Sequence, residues 1–229
     1  MGQLTERDGE WLSWVGRWRG VTAPQVAARW VPDLPSGVKV VERRIRVWRE
    51  LGLVTSVRVL ADAPGVVSLT REGMKAAGLE GPVRQVTVGQ LRHDLAVTDC
   101  ATWLWRARGD RMMTEREIRA ADPATTTTPR FALLAAPSAG RRIVYPDLIT
   151  VTRNGEAFAH EVELSPKEHK RLVALMSAYV SARHISRVRY YAADAIRHRV
   201  EKAAEEANDL AARRGIQRTV FVTGWEWQA

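Results

Sequence analysis

Apolar positions along the first eighty residues follow a helical rhythm, broken once by a short extended stretch. Trp11, Trp14, Val15 and Trp18, at spacings of 3, 1 and 3, paint one face of a helix. Thr22 and Gln25 form a capping-box pair ahead of Val26, Ala27 and Trp30, and Pro24 falls in the first turn, where a missing N–H costs nothing. The loop PDLPSG leads into residues 38–51, where Val41, Ile45, Trp48 and Leu51 recur at 4, 3 and 3. Ser36 is placed to cap this helix and Gly52 to end it in the left-handed conformation. Residues 54–60 and 66–69 then read as strands around the turn ADAPG, and Thr70 caps the helical segment REGMKAAG. The predicted order is three helices, a hairpin and a helix.

The rhythm lapses across residues 81–90, which predicts a linker between one domain at 1–80 and a second at 91–229. From 91 to 108, Leu95, Cys100, Ala101, Trp103 and Leu104 supply the apolar surface of a helix that packs on a sheet. MMTEREIRA reads as a polar, strand-like piece, and ADPATTTTPR as an irregular, mobile loop. Residues 142–152 and 156–164 are β-rich and flank Asn154-Gly155, a strong hairpin signal. Ser165-Pro166-Lys167-Glu168 reads as the cap, first-turn proline and capping acid of a helix running to about Ala182, with Leu172, Met176 and Tyr179 on one face. A strand RVRYYAA, a helix over about 195–214 ended by Gly215, and a strand RTVFVTGW complete the order α-β-β-β-α-β-α-β. The fold class is α/β, or α+β over the whole chain, with a central mixed sheet in the second domain.

Charge sharpens this picture on the third helix. Away from its apolar stripe, Lys39, Arg43 and Arg46 repeat at 4 and 3, flanked by Arg44 and Arg49, a cationic face suited to a phosphate-lined groove. The whole chain has 35 Lys and Arg against 26 Asp and Glu, a net +9 that favours a polyanionic partner. With 45% hydrophobic and 27% charged residues, the composition is that of a globular protein. Cys100, the single cysteine, excludes an internal disulfide and a Cys-rich zinc site, so the expected compartment is the reducing cytoplasm. The start MGQLTERDGEW lacks the apolar run of a signal peptide, and residues 131–140 are too short an apolar stretch to span a bilayer, so no membrane partner is expected. No Walker-type loop, GxGxxG, HExxH or Gly-x-Ser-x-Gly is present, which argues against a nucleotide cofactor and against acyl transfer.

The hairpin carries the candidate chemistry. Pro146-Asp147 begins one strand, and Glu161 and Glu163, separated by Val162, share a face of the other. Three carboxylates that converge can bind a hard divalent cation, Mg2+ or Mn2+, which takes oxygen ligands and keeps several waters. Register decides the matter. A two-residue Asn154-Gly155 turn pairs 147 with 162 and puts Asp147 on the wrong face. A three-residue loop, Arg153-Asn154-Gly155, with the glycine left-handed, makes paired numbers sum to 308 and sets Asp147 opposite Glu161. The bulged loop is the expectation. The plain alternative is a solvated strand face, with Glu161 and Glu163 ion-paired to Arg142, Lys167 or Arg171. His93 and His160 lie near these strings, and a lone histidine is more often a packed or capping residue than a ligand.

The N-terminal order resembles a winged helix-turn-helix. That resemblance implies a third helix in the major groove of double-stranded DNA, assigning Lys39, Arg43, Arg44, Arg46 and Arg49 to it and Arg58 to the wing. From Leu91 to Trp225 the chain resembles the PD-(D/E)xK nuclease superfamily, a restriction-endonuclease-like domain whose sheet carries a Pro-Asp and, after a hairpin, an acid-x-Lys. Here these are Pro146-Asp147 and Glu161-Val162-Glu163, so Glu163 stands where the family has lysine. The resemblance implies metal ligation by Asp147 and Glu161, with Glu117, or Glu115, as an additional upstream acid. It also implies a catalytic group of Asp147, Glu161, Glu163 and a lysine, for which Lys167 or Lys170 would supply the positive charge near the scissile phosphate. More narrowly, the two-domain order and the strings LRHDLAVTD, YPDLI and HEVELSPK resemble the replication-relaxation family of actinobacterial plasmids and integrated mobile elements.

Two functions stand open. One is a DNA-binding protein of plasmid or mobile-element replication or relaxation acting as a metal-dependent DNA endonuclease or nickase. The other is a catalytically silent replication accessory or transcriptional regulator that uses the nuclease-like fold as a scaffold. A second copy of the chain is a further candidate partner.

Overall fold

The computed structural model describes residues 4–59, 64–83, 86–108, 111–135 and 142–225. The chain divides into two compact units between Trp103 and Leu104.

In the first unit, helices α1 (Glu6–Val15), α2 (Ala23–Trp30) and α3 (Gly37–Glu50) precede strands β2 (Val54–Val57) and β3 (Val66–Leu69) and helix α4 (Arg71–Ala76). A two-residue strand, β1 (Val21–Thr22), joins the hairpin in a three-stranded sheet of order β1-β3-β2. The local signals act as read. Thr22 accepts from the Gln25 N–H while Gln25 accepts from the Thr22 N–H, and Gly52, at φ +70°, ends α3. Ser36 occupies the N-cap position of α3 without a side-chain cap bond. Trp11, Leu12, Trp14, Val26, Val41, Ile45 and Trp48 form the core with Val67, Leu69 and Met74. Residues 60–63, where the sequence places the end of a strand and most of the ADAPG turn, lie outside the described residues.

Helix α5 (Val88–Arg108) is placed by sequence at the head of the second domain. Its earlier turns belong instead to the first unit. The Gln25 side-chain amide donates to the Leu95 carbonyl and to Asp99 Oδ1, each at 2.9 Å, and Arg19 pairs with Asp94 at 3.4 Å. The 81–90 segment thus joins two parts of one compact unit, because the polar side of α5 has partners on α2 and the segment before it.

The second unit is built on a five-stranded sheet of order β10-β9-β8-β7-β4, formed by β4 (Arg111–Thr114), β7 (Leu148–Val151), β8 (Ala157–Glu163), β9 (Arg187–Ala192) and β10 (Val220–Gly224). The pairs β4–β7 and β7–β8 are antiparallel, and β8–β9 and β9–β10 are parallel, so the sheet is mixed. Helices α7 (His169–Ser181) and α8 (Asp194–Arg213) bury Leu172, Met176, Tyr179, Ile196, Val200 and Ala203 with Ala159, Val188 and Tyr190 of the sheet.

Three local readings are corrected. MMTEREIRA is not one strand: β4 stops at Thr114 and α6 (Glu115–Ala121) follows, because Thr114-x-x-Glu117 is itself a capping pair. The segment 142–152 breaks at Tyr145-Pro146-Asp147 into β6 (Arg142–Val144), paired with β5 (Leu133–Ala135) in a separate two-stranded sheet, and β7. Proline has no N–H for the ladder and cannot continue it. Ser165-Pro166-Lys167 precedes α7 rather than opening it, and Glu168 is the N-cap. The Thr-rich loop is also held at its end: buried Asp122 accepts from the backbone N–H groups of Arg130, Phe131 and Ala132 at 2.9, 2.6 and 2.7 Å.

Candidate functional site

Two charged constellations stand out, one in each unit. On α3 the apolar stripe Val41, Ile45 and Trp48 is buried, which turns Lys39, Arg43, Arg46 and Arg49 outward, all exposed. Arg46 and Arg49 also line an open groove with Glu50 and the residues of β2 from Val54 to Val57. Arg58, just past β2, is exposed.

Arg44 belongs elsewhere. Its guanidinium makes an ion pair with Asp8, a carboxylate only 3% exposed that also accepts from the Trp48 indole N–H at 2.9 Å. Burial pushes the Asp8 pKa up, but the hydrogen bonds from Arg44, Thr5 and Trp48 outweigh it and bring the value down to about 2. Arg44 therefore ties α3 to α1. No sequence spacing flags this pair, since Asp8 reads as an ordinary first-turn acid.

In the second unit the hairpin register places the acids. Leu148 faces His160 and Val151 faces Ala157, so each pair sums to 308, and Gly155 takes φ +82° in the expected bulged loop. Asp147 stands one step before β7, opposite Glu161, and its Oδ2 accepts from the Val162 N–H at 2.8 Å. Glu161 and Glu163 are 8% and 3% exposed, on the face where Ala157, Ala159, Tyr190 and Ala192 meet the helices. They are buried rather than lining a solvated strand.

Each acid has a protein partner. The Tyr179 hydroxyl on α7 donates to Glu161 Oε1, and Lys167 makes an ion pair with Glu163. The extended run before α7 carries Lys167 back over Glu163. Burial raises the pKa of Tyr179 first, with the charges of Glu161 and Asp147 adding to it; burial and then Glu161, Glu163 and Asp147 do the same for Tyr190. Both phenols stay protonated, and three carboxylates act on one place. The Tyr190 hydroxyl, fully buried among them, has no hydrogen-bond partner among the described residues.

Other candidates lie apart. Glu117 Oε2 accepts from the Thr114 N–H and hydroxyl at 2.7 and 3.0 Å, holding the start of α6, and Glu115 pairs with Arg119 at 2.6 Å. His160 faces away from the acids, against Thr150 at 2.9 Å and Tyr191 at 3.2 Å. Lys170 is exposed and His93 half-buried. Sequence reasoning took Tyr179 as plain core and did not single out Tyr190. An aromatic on the helix face above an acidic strand was the available signal.

Among the described residues, no group of three or more His, Cys, Asp or Glu is arranged to hold a metal ion. The donor set still suits a hard cation: the carboxylates of Asp147 and Glu161, one step beyond the paired residues Leu148 and His160, and an orphaned hydroxyl are oxygen donors of the kind Mg2+ takes alongside waters and phosphate. Three acids alone would repel a phosphate. No helix of the described residues is long and apolar enough to cross a membrane. No family model, no curated protein and no solved structure matches the chain.

Proposed function

We propose that the chain is a duplex-DNA-binding protein whose first unit is a winged helix-turn-helix and whose second unit is a restriction-endonuclease-like domain with a metal-dependent phosphodiesterase centre. The observation that carries the reading is the exposed row Lys39, Arg43, Arg46 and Arg49 on α3, next to an antiparallel hairpin. A helix of that width fits the major groove, cations at that spacing meet phosphates, and the hairpin supplies a wing carrying Arg58. The replication-relaxation likeness of the sequence accords with duplex DNA as partner and with a nick or cut as the reaction.

In the second unit, Asp147 and Glu161 would hold the magnesium or manganese ion, which when bound supplies a polarised water and shields phosphate charge. Tyr179 orients Glu161 by its hydrogen bond. Lys167, held by Glu163, stands in for the missing family lysine as the positive group near the phosphate. Glu117 is left out of the centre, since it caps α6.

Two measurements test this. Fluorescence anisotropy with a labelled duplex should show tight, steeply salt-dependent binding, and Arg43→Glu with Arg46→Glu should remove it; a flat salt response overturns the DNA reading. Supercoiled plasmid with Mn2+ should be relaxed or linearised by the wild type and left intact by Asp147→Ala. Equal behaviour of the two would leave the silent DNA binder as the function.

A further inference from the structure

The five-stranded sheet has two unlike faces. Its pairing puts Glu161 and Glu163 on the side of α7 and α8. The same registers line the opposite side with Met112 and Thr114, Leu148 and Thr150, Phe158, His160 and Val162, Arg187, Arg189 and Tyr191, and Phe221 and Thr223. No acid occurs in that set. Near β7 this side is buried, as Leu148, Thr150 and His160 show, and so is Tyr191 on β9, but at the start of β9 and along β10 it is open: Phe221 is 43% exposed, Arg187 and Thr223 are exposed, and Phe158 and Arg189 are half-buried.

Aromatic and cationic groups alternate across this open part. Arg187 is level with Phe158, its guanidinium 5.6 Å from the ring centroid, and Arg189 is level with Phe221. From strand spacing and rise, the two rings lie on the order of 12 Å apart along a diagonal, with an arginine beside each. We infer that this face binds single-stranded nucleic acid, a base stacking on Phe221 and the phosphates meeting Arg187 and Arg189. Stacking on an exposed ring tolerates any base, and the guanidinium groups beside it neutralise the backbone that links the bases.

Charge and edge geometry favour that occupant over others. A second copy seated symmetrically here would set arginines against arginines. An added peptide strand along β10 would meet an edge already closed at its first residue, where the Asn208 amide donates to the Val220 carbonyl at 3.1 Å and accepts its N–H at 2.8 Å. The inference is independent of α3, whose cations are proposed to serve duplex DNA.

The experiment is fluorescence anisotropy of the full chain with a labelled oligothymidine and, in parallel, an oligouridine and a duplex, with sedimentation velocity to report the oligomeric state. Phe221→Ala should weaken oligothymidine about tenfold and leave duplex affinity unchanged, Phe221→Trp should retain binding, and Arg187→Ala with Arg189→Ala should weaken it further and flatten its salt dependence. Arg43→Glu with Arg46→Glu should do the reverse, so that failure of either site is told apart from failure of the other. Tighter oligouridine than oligothymidine binding would make RNA the strand that this face holds. Oligothymidine affinity unchanged in Phe221→Ala and in the double arginine variant, or a loss of self-association in Phe221→Ala without loss of strand binding, would overturn the inference.

Discussion

The arginines of α3 and the glutamates of β8 are both charges in regular spacing, yet the protein treats them oppositely. Lys39, Arg43, Arg46 and Arg49 stand exposed, whereas Glu161 and Glu163 are buried and engaged by Tyr179 and Lys167. Exposed cations keep their hydration until a partner displaces it, so they cost the fold little and are available for recognition. Buried carboxylates are costly unless bonded, so each one fixes the orientation of its neighbours and must be held in place before it can do chemistry. Arg44 and Asp8 show the second treatment inside the first unit, one position along the helix from the first.

The largest effect expected from breaking this contrast is on duplex affinity. Reversing Arg43 and Arg46 to glutamate removes two phosphate-neutralising cations and adds two repelling charges, which lowers affinity about a thousandfold at physiological salt and flattens the log–log salt slope by about 2. Anisotropy across a salt series measures both. The thermal midpoint should not change, because neither side chain is buried.

Asp8→Ala should give the opposite pattern. It strips the partner from Arg44 and from the Trp48 indole and should destabilise the first unit by about 3 kcal/mol, read by urea denaturation. Arg44→Ala should likewise lower stability while leaving the salt slope of duplex binding intact. A shallower slope in Arg44→Ala would place Arg44 on the DNA face and erase the distinction.

Acid titration sharpens the same point without mutation. The Asp8 pKa is depressed to about 2, so its contribution is fully present above the unfolded value and is lost as pH falls from about 4 towards 2. That shift corresponds to about 2 kcal/mol, which should be absent from the pH–stability curve of Asp8→Asn.

The smallest effect is expected at the acidic hairpin. Tyr179→Phe removes only the hydroxyl that donates to Glu161 and should cost about 1 to 2 kcal/mol, while a Glu161→Gln, Tyr179→Phe double variant should recover part of that loss because the acceptor is no longer charged. Additive losses in this cycle would show that the pair is not coupled.

Much of the hairpin was legible because its geometry is local. Asn154-Gly155 marks the turn, and requiring Asp147 to share a face with Glu161 selects the loop in which Gly155 is left-handed and paired numbers sum to 308. The cationic side of α3 was legible for a similar reason, since a helix's apolar stripe dictates what faces outward. Arg44 escaped the reading because spacing alone cannot distinguish one flank of that side from the other. Glu117 was misplaced although Thr114-x-x-Glu117 was present, because the residues around it also alternate like a strand. The division between units was drawn at a composition change, whereas the contacts that settle it run from Gln25 to Leu95 and Asp99.

The chain's own order determined the caps of α2 and α4, which side of α3 is charged, and which residues of β7 and β8 are level with each other. Those properties depend on neighbours a few residues apart, through caps, turns and periodicity. Only the tertiary structure decided which charges are withdrawn from solvent: Asp8 meets Arg44 and Trp48 across 36 and 40 residues, and Glu161 meets Tyr179 across 18. Burial is a property of what another element covers. A carboxylate's identity says nothing about whether a tyrosine from a helix one turn of the fold away will close over it.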